Sequence, residues 1–188
     1  MAASAQTRYY HGSSPGTASS DVTGLTVRHQ LADSDIQDSV YPIPLPPGGG
    51  PQVNGYNLGW RKSSKVNFAS TPAGSITNLR WFTSGSIPTG IGFWARLQAT
   101  GLYIIATASD QNGISGFTDN SGNQTANNAA NYTSGAPLTV NAGTVLSNPN
   151  TGEGTQVFVE SQMGVNSSYA GGPGPITPFQ VTYRYSET

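Results

Sequence analysis

The two histidines, His11 and His29, are the side chains of this 188-residue chain best suited to proton transfer near neutral pH. A Ser–His–Asp catalytic arrangement is formally available because serines are abundant, but the sequence contains no G-x-S-x-G nucleophile elbow. His11 belongs to a polar N-terminal stretch, and His29 stands between Arg28 and Gln30 on a candidate edge strand. We therefore expect both histidines to make polar contacts at the surface or at an interface, without a catalytic role.

Glycoside hydrolysis is the reaction that paired carboxylates would suggest, since it needs two of them facing each other across a cleft. The strand-forming part of the chain carries five acidic residues: Asp110, Asp119, Glu153, Glu160 and Glu187. In "VFVESQ", alternation places Glu160 on the face with Phe158 and Gln162. We expect it to be either exposed or salt-bridged, with Arg80 or Arg96 as the candidate partners. The spacing identifies no acid–base pair, so we predict that the chain is not an enzyme.

The acidic run "DSDIQD" contains Asp33, Asp35 and Asp38, whose carboxylates could together bind a hard cation such as calcium. Its spacing does not match the calcium loop of helix–loop–helix proteins, and neither do "DQNG" at 110–113 and "DNSGN" at 119–123. We interpret all three as solvated turns and predict no metal and no other cofactor. Calcium bound between loops that are distant in sequence is the alternative.

Three aromatic residues could stack against sugar rings, as in carbohydrate-binding modules: Trp81, Trp94 and Tyr103. The favoured interpretation places them in the core or at a subunit interface. On their strand, Trp94 and Arg96 fall on the face opposite Phe93. An outward tryptophan beside an arginine is typical of interface hot spots, so we predict that Trp94 and Arg96 bind a partner. The core candidates of this region are Leu79, Trp81, Phe93 and Leu97.

The charge content of the chain is low, with 9% charged residues and a net charge of −1. A globular domain usually has about 25%. The eight basic residues are scattered except in "RKSSK" at 61–65, which is too little for binding to nucleic-acid phosphates. The longest apolar stretch, "GLYIIATA", is far shorter than the roughly 20 residues of a membrane-spanning helix. We therefore predict neither a nucleic-acid partner nor a membrane.

The absence of cysteine removes disulfides and thiolate metal sites, so packing, hydrogen bonds or partners must supply the stability. The first residues, "MAASAQTRYYHGSSPGTASS", lack the apolar region of a secretory signal, and we expect synthesis in a cytoplasm. A composition typical of extracellular β-modules and virion proteins then suggests release by cell lysis, as for a virus.

Residues 1–52 are predicted to form an extended N-terminal arm that precedes a β-domain of residues 53–188. The arm ends in a proline-rich strap, "YPIPLPPGGGPQ" (41–52), whose prolines enforce extended or polyproline II backbone before the glycines break it. Such a segment is suited to lying over another protein surface. The partner-binding residues that we assign to the strap are Tyr41, Pro42, Pro44 and Pro46.

Short segments rich in β-branched and aromatic residues, bounded by Gly, Pro and Asn, predict an all-β fold. Their spacing favours a β-sandwich of immunoglobulin-like or jelly-roll type. "TSGSIPTG" (83–90) predicts a hairpin between two aromatic strands, and the polar stretch 109–135 predicts an exposed loop. In the last segment one face should be buried, that of Phe179, Val181, Tyr183 and Tyr185. The predicted strand segments are 65–70, 75–84, 89–99, 101–109, 137–146, 155–164 and 177–187.

Two parts of this region, "ITNLRWFTSGSIPTGIGFWARLQATG" and "TQVFVESQMGVNSSYAGGPGPITPFQVTYRYSE", resemble a group of small virion structural proteins of tailed bacteriophages. In those proteins an "NIRWYTDG…GTG" hairpin is followed by a "LQLQVGS…SPG…TFTFRYDE" end. The resemblance covers roughly residues 63–187, and Ser84 and Ser186 stand where the pattern has Asp. It implies a β-sandwich subunit of the particle without catalytic residues.

Among virion roles, a capsid decoration or cement protein fits this resemblance best, because such proteins are small sandwiches that use extended arms to staple neighbouring capsomers. The implied location is the exterior of the virion capsid, and the implied partner is the major capsid protein. We also expect a homo-oligomer, with a trimer as one option. Two alternatives are a carbohydrate-binding or adhesion module of a phage tail or fibre, and a hydrolase that uses Glu160 or His29.

Overall fold

The computed structural model describes residues 2–10, 19–25, 29, 43, 52–53, 55–98, 128–171 and 179–188. These residues form ten strands and one short 3-10 helix, which confirms the all-β prediction. The predicted strand at 101–109 lies outside the described residues. The strands are β1 (Ala5–Tyr10), β2 (Ser19–Asp21), β3 (Gln52–Val53), β4 (Tyr56–Leu58), β5 (Lys62–Phe68), β6 (Ser75–Ser84), β7 (Ile91–Leu97), β8 (Leu138–Ser147), β9 (Val159–Asn166) and β10 (Gln180–Glu187), and the 3-10 helix covers Ala129–Asn131.

The strands pair into two antiparallel sheets, a larger one of seven strands and a smaller one of three. In the smaller sheet, β6 lies between β10 and β8. In the larger sheet, β7 pairs along one side of β9, while β5 and β4 pair one after the other along its opposite side. Outward from these, β1 and β2 extend the sheet beyond β5, and β3 extends it beyond β4. β9 therefore holds the larger sheet together.

The hydrophobic core fills the space between the two sheets. The larger sheet contributes Val66 and Phe68, and the smaller sheet contributes Leu79 and Trp81, all at most 2% exposed. Phe68 meets Tyr185 of β10 edge to face, with 5.0 Å between the ring centroids. Because apolar side chains of both sheets share one core, the fold is a β-sandwich. The predicted core members all belong to this cluster or pack against it: Leu79, Trp81, Phe93 and Leu97.

The alternation of β10 is as predicted from the sequence. Gln180, Arg184 and Ser186 are exposed, because a strand that covers one side of a core leaves every second side chain to the solvent. The side chains that pack against the core are Phe179, Val181, Tyr183 and Tyr185.

The prediction of a hairpin at residues 83–90 is wrong. β6 pairs with β8 and β10 in the smaller sheet, whereas β7 pairs with β9 in the larger sheet. Both strands bury an aromatic side chain, Trp81 and Phe93, in the core from opposite sides. The connection between them turns at Gly85 and Gly90, whose φ values of 91° and 86° suit glycine. It therefore carries the chain from one sheet to the other.

Residues 1–52 were predicted to form an arm separate from the sandwich. The described strands of this region, β1 and β2, instead belong to the larger sheet. β1 pairs with β5 in an unbroken six-residue register, and β2 pairs with β1. Tyr9 and Tyr10 are 7% and 5% exposed, and Tyr10 meets Phe158 edge to face at 5.1 Å. The two tyrosines give β1 apolar surface to bury on both faces, which outweighs the small polar residues around it. Most of the remaining predicted arm lies outside the described residues.

The end of the predicted loop 109–135 is docked on the sandwich. Ala129 is 0% exposed, and its carbonyl accepts a hydrogen bond of 2.8 Å from the Thr83 hydroxyl. The carbonyl of Tyr132 accepts a bond of the same length from the backbone N–H of Thr83. The ring of Tyr132 also meets Trp81 edge to face at 6.1 Å. The prediction of an exposed loop is therefore wrong for Ala129, whereas Ala130, Asn131 and residues 133–135 are exposed as predicted, and residues 109–127 lie outside the described residues.

Candidate interaction sites

The predicted partner-binding residues fall into two groups. Trp94 and Arg96 lie on β7, on the face of the larger sheet that points away from the core, as alternation predicts. Trp81 lies in the core on the other sheet, so it cannot share a sugar platform with Trp94, and Tyr103 lies outside the described residues. Also outside the described residues are Tyr41, Pro42, Pro44 and Pro46.

Trp94 is buried although it points away from the core, with 3% of its surface exposed. Its indole lies over Gly92 and Gly164, which are directly opposite each other on β7 and β9. A Cβ on Gly92 would overlap the ring, and one on Gly164 would stand 3.1 Å from it, so the glycines form the floor of the site. Leu58 and Tyr56 of β4 pack against the ring, Tyr56 edge to face at 5.4 Å. Trp94 therefore lies on the predicted face of the sheet, but it is covered there by residues of the same chain and is not exposed for a partner.

A buried carboxylate between two arginines lies on the same face of the larger sheet. Glu160 is 0% exposed, and its Oε2 accepts a hydrogen bond of 2.8 Å from Nε of Arg96. Arg61, just before β5, approaches the other carboxylate oxygen, with 3.7 Å between Nη1 and Oε1. Of the alternatives left open by the sequence, the salt bridge with Arg96 is the one present, whereas Arg80 lies on the smaller sheet and Glu160 is not exposed.

This ionic cluster joins three neighbouring segments of the larger sheet. Arg96 belongs to β7, Glu160 to β9, and Arg61 to the turn between β4 and β5. Each guanidinium offsets the cost of burying the Glu160 carboxylate, and loss of one partner would leave a buried charge without compensation. The geometry favours a structural role for Glu160. The partner-binding role of Arg96, whose side chain is 23% exposed, stays a prediction.

Glu187 ties the last strand to segments at the other end of the chain. Its two carboxylate oxygens accept hydrogen bonds from the backbone N–H groups of Ala3, at 2.9 Å, and Ala73, at 2.7 Å. These bonds hold the pKa of the Glu187 carboxyl below its usual value. Because Ala3 leads into β1 of the larger sheet and Glu187 ends β10 of the smaller one, this carboxylate links the two sheets.

The two other described carboxylates also have partners within the chain. Glu153 pairs with Lys65 at 3.2 Å, and burial raises the pKa of the Glu153 carboxyl. Asp21 accepts hydrogen bonds from the hydroxyl and the backbone N–H of Thr23, which lower its pKa. The carboxylates of the described residues therefore all stabilise turns, strands or the contact between sheets.

Gln156 takes the place of a strand partner where β9 does not reach β5. Its Oε1 accepts a hydrogen bond of 2.8 Å from the N–H of Val66, and its Nε2 donates bonds of 2.6 Å to the carbonyls of Val66 and Glu153. The side chain is buried, so these bonds satisfy backbone groups that water does not reach. A single glutamine thus completes the ladder of β5.

A tyrosine and a serine form a polar contact inside the sandwich, and a second tyrosine, Tyr9, hydrogen-bonds to Ser161. The hydroxyls of Ser64 in β5 and Tyr183 in β10 lie 2.9 Å apart and bridge the two sheets. Burial raises the pKa of Tyr183 above its usual value and that of Tyr9 to about 12. Both phenols are therefore neutral at physiological pH and serve as hydrogen-bonding groups.

His29 packs its ring against the core and also hydrogen-bonds to the backbone of Trp60. Its ring meets Phe93 of the core edge to face, with 5.3 Å between the centroids. Burial and the positive charge of Lys62 lower the pKa of His29 to about 3, so the imidazole is neutral at physiological pH. His11 lies outside the described residues.

The outer face of the smaller sheet carries two arginines in adjacent strands. Arg80 of β6 is directly opposite Arg184 of β10, and Phe82 is directly opposite Thr182. The Arg184 guanidinium lies over the Phe82 ring, 5.5 Å from its centroid. We call Arg80, Phe82, Thr182 and Arg184 the arginine face. Sequence analysis placed Arg184 outward but missed Arg80 as its neighbour, because only the register between two distant strands brings them together.

The described residues show neither a metal-binding group nor a membrane-spanning helix. Within the described ranges, no three histidine, cysteine, aspartate or glutamate side chains gather in a group that could hold a metal ion. The part of the chain that the structure describes has no helix with the length and apolar character needed to cross a membrane. Comparisons with protein-family models, curated proteins and solved structures gave no match. The function must therefore be inferred from the residues of the chain itself.

Proposed function

We propose that this chain is a non-enzymatic structural protein of a virus particle, which decorates the capsid exterior and binds the major capsid protein. The resemblance of residues 63–187 to small virion structural proteins supports this proposal. So does the way the sandwich is held together without cysteines, by the ionic cluster around Glu160 and the bonds of Glu187 to backbone N–H groups. A protein exposed on a particle must keep its fold without help from the interior of a cell.

The observation that carries the proposal is how the proline-rich strap is attached. Along the strand order of the larger sheet, β2 and β3 are the two outermost strands. Residues 22–51 connect them, so this segment, which contains the strap, is anchored at both ends on the sandwich. On the β2 side, Val22 is buried and its N–H donates to the Thr7 carbonyl at 2.8 Å.

A segment anchored at both ends has less conformational freedom to lose on binding than a free tail has. Contacts between the strap and a capsid surface would therefore contribute more of their energy to affinity. Many copies on one shell, or a homo-oligomer, would add avidity to modest single contacts. The strap residues in these contacts are those predicted from the sequence, Tyr41, Pro42, Pro44 and Pro46.

Deleting residues 1–50 is not a clean test of the strap, because the deletion removes β1 and β2. Instead, residues 41–47 should be replaced by a Gly/Ser sequence of equal length, which leaves the strands intact. The measurement is co-sedimentation with undecorated capsids of the virus that encodes the chain. We expect the parent protein to bind and the replacement to bind at least about tenfold more weakly.

The matched control replaces Pro137, which precedes β8, with serine, and it should bind as the parent does. Thermal unfolding of each variant verifies that the sandwich is intact. If the parent protein does not bind capsids, the proposed function is wrong. If the replaced strap binds normally, the capsid contact lies elsewhere on the protein.

A further inference from the structure

We propose that the arginine face docks an extended acidic segment of a partner protein, whose carboxylates at positions i and i+2 bind Arg80 and Arg184. The proposal deepens the proposed function and rests on it only in taking the capsid protein as the carrier of that segment. The chemistry of the surface is argued from the smaller sheet alone.

The first observation is uncompensated positive charge. Like charges directly opposite each other on adjacent strands are unfavourable, and Arg80 and Arg184 stand in this relation. Among the described residues, Lys65 pairs with Glu153, and Arg61 and Arg96 pair with Glu160, whereas neither Arg80 nor Arg184 forms an ion pair. The nearest carboxylate along β10, Glu187, is bound to two backbone N–H groups.

The larger sheet has a carboxylate between two arginines, which the arginine face lacks. There, Arg61 and Arg96 share the carboxylate of Glu160, which neutralises part of their charge and accepts a hydrogen bond from Arg96. On the smaller sheet, Arg80 and Arg184 stand directly opposite each other on adjacent strands, without a carboxylate between them. An acidic partner would supply from outside what Glu160 supplies within the chain.

The second observation is that both guanidiniums are already held in place. Arg80 donates from Nη2 to the Oδ1 of Asn78 at 3.1 Å and from Nη1 to the hydroxyl of Thr139. The guanidinium of Arg184 rests on the Phe82 ring. Because these contacts restrict the side chains before binding, less rotamer freedom is lost when a carboxylate arrives. Each guanidinium has five N–H donors, so donors remain for a carboxylate.

The spacing of the face fits an extended peptide. Directly opposite residues of an antiparallel pair have Cβ atoms about 5 Å apart. From there Arg80 reaches Thr139 of β8, and Arg184 reaches over Phe82 of β6. Carboxylates at i and i+2 of an extended strand lie on one side, roughly 6.5 Å apart along the backbone. The Phe82 ring and the Thr182 side chain offer partly exposed surface for the residues between the acids.

A nucleic acid fits this surface less well. Two arginines make few phosphate contacts, and the chain as a whole carries a net charge of −1. Carboxylate pairs, in contrast, match guanidiniums with bidentate hydrogen bonds and need no wider field of positive charge.

The test uses the full chain and a capped synthetic heptapeptide of sequence GDTDTDG, with NMR chemical-shift titration as the readout. We expect saturable binding with shift changes centred on Arg80, Phe82 and Arg184. Arg80→Gln and Arg184→Gln should each weaken binding by about fivefold or more, and added salt should weaken it in the parent. The melting temperature of each variant should stay within about 4 °C of the parent, since relief of repulsion offsets the lost contacts.

The charge-matched control is Arg8→Gln, which removes a positive charge from β1 of the larger sheet and should leave peptide binding unchanged. The peptide control is GNTNTNG, which keeps the shape without the charges and should not bind. The proposal is overturned if Arg8→Gln weakens binding as much as Arg184→Gln, or if the asparagine peptide binds equally well. It is also overturned if inorganic phosphate or a DNA duplex displaces the peptide at comparable concentration, or if the shifts report self-association of the chain. Since no capsid is present, failure here leaves the capsid-binding test intact.

Discussion

Replacing Glu160 with glutamine should strongly reduce the stability of this protein, although it exchanges only a carboxylate oxygen for an amide nitrogen. The substitution keeps the size and shape of the side chain, so it creates no cavity, but it removes the one negative charge between Arg61 and Arg96. Glu160 is 0% exposed and Arg61 is 8% exposed, so water can do little to solvate the charge that is left behind.

The expected cost follows from the geometry of the two ion pairs. Opposite charges about 4 Å apart attract by about 4 kcal/mol at the effective dielectric constant of about 20 that suits protein sites. That attraction offsets the cost of burial, and breaking such a buried pair destabilises proteins by about 3 to 5 kcal/mol. Because the Arg96 side chain is 23% exposed and partly solvated, we place the loss near the lower end, at about 3 to 4 kcal/mol.

Urea unfolding at neutral pH, followed by tryptophan fluorescence, measures this loss directly as a shift of the midpoint at constant slope. For a chain of this length, about 3 to 4 kcal/mol corresponds to a fall in melting temperature of roughly 6 to 16 °C. A matched control is Glu153→Gln, which removes a carboxylate that is 25% exposed and pairs with Lys65, and should cost about 1 kcal/mol or less.

A loss of less than about 1 kcal/mol for Glu160→Gln, equal to that of the control, would show that the cluster is solvated and the reasoning wrong. A second variant separates charge from packing. Replacing Arg61, Arg96 and Glu160 together with apolar residues of similar volume should restore most of the stability, because no charge is left buried.

Three further changes test other contacts of the sandwich. Gln156→Ala should destabilise by about 2 to 4 kcal/mol in urea unfolding, because the buried N–H and C=O of Val66 lose their partner, and a loss below about 1 kcal/mol would contradict that role. Gly164→Ala should cost about 1 to 3 kcal/mol and alter the fluorescence of Trp94, whose ring would be crowded, and an unchanged spectrum would argue against the glycine floor. The lowered pKa of Glu187 means that its contribution to stability is present above the usual value of 4.5 and is lost as pH falls through the lower folded value. Glu187→Gln should therefore reduce the fall in melting temperature between pH 6 and pH 3, and an unchanged pH profile would contradict the bonds to Ala3 and Ala73.

Local patterns of the sequence predicted the features that depend on neighbours within a strand. The bounds of β6 at Ser75–Ser84 and the alternation of β10 follow from side-chain period and β-propensity, which a single strand carries by itself. Alternation narrowed the salt-bridge partners of Glu160 to Arg80 and Arg96 without deciding between them. Arg96 is the partner because its strand joins the same sheet as Glu160, whereas the strand of Arg80 joins the other sheet.

Features that depend on pairing between strands distant in sequence could not be predicted from local patterns. The apparent hairpin at 83–90 looked local, yet β6 and β7 find their partners in β8, β9 and β10. Trp94 is buried because Gly92 and Gly164 leave room for its ring and Leu58 covers it, and these residues come from three strands. Alternation correctly placed Trp94 on the face of the sheet that points away from the core. It could not show that other residues of the chain cover this face.

The central place of β9 has a consequence for how the protein is made on the ribosome. β9 begins 62 residues after β7 ends (159 − 97), so β4, β5 and β7 leave the ribosome before the strand that joins them exists. At about 5 to 20 residues per second, translation needs roughly 3 to 12 s to reach it. During that interval the nascent chain carries unpaired strand edges, which are prone to pair with other chains. With only 9% charged residues to keep nascent chains apart, we expect soluble yield to rise with chaperone supply and with slower initiation.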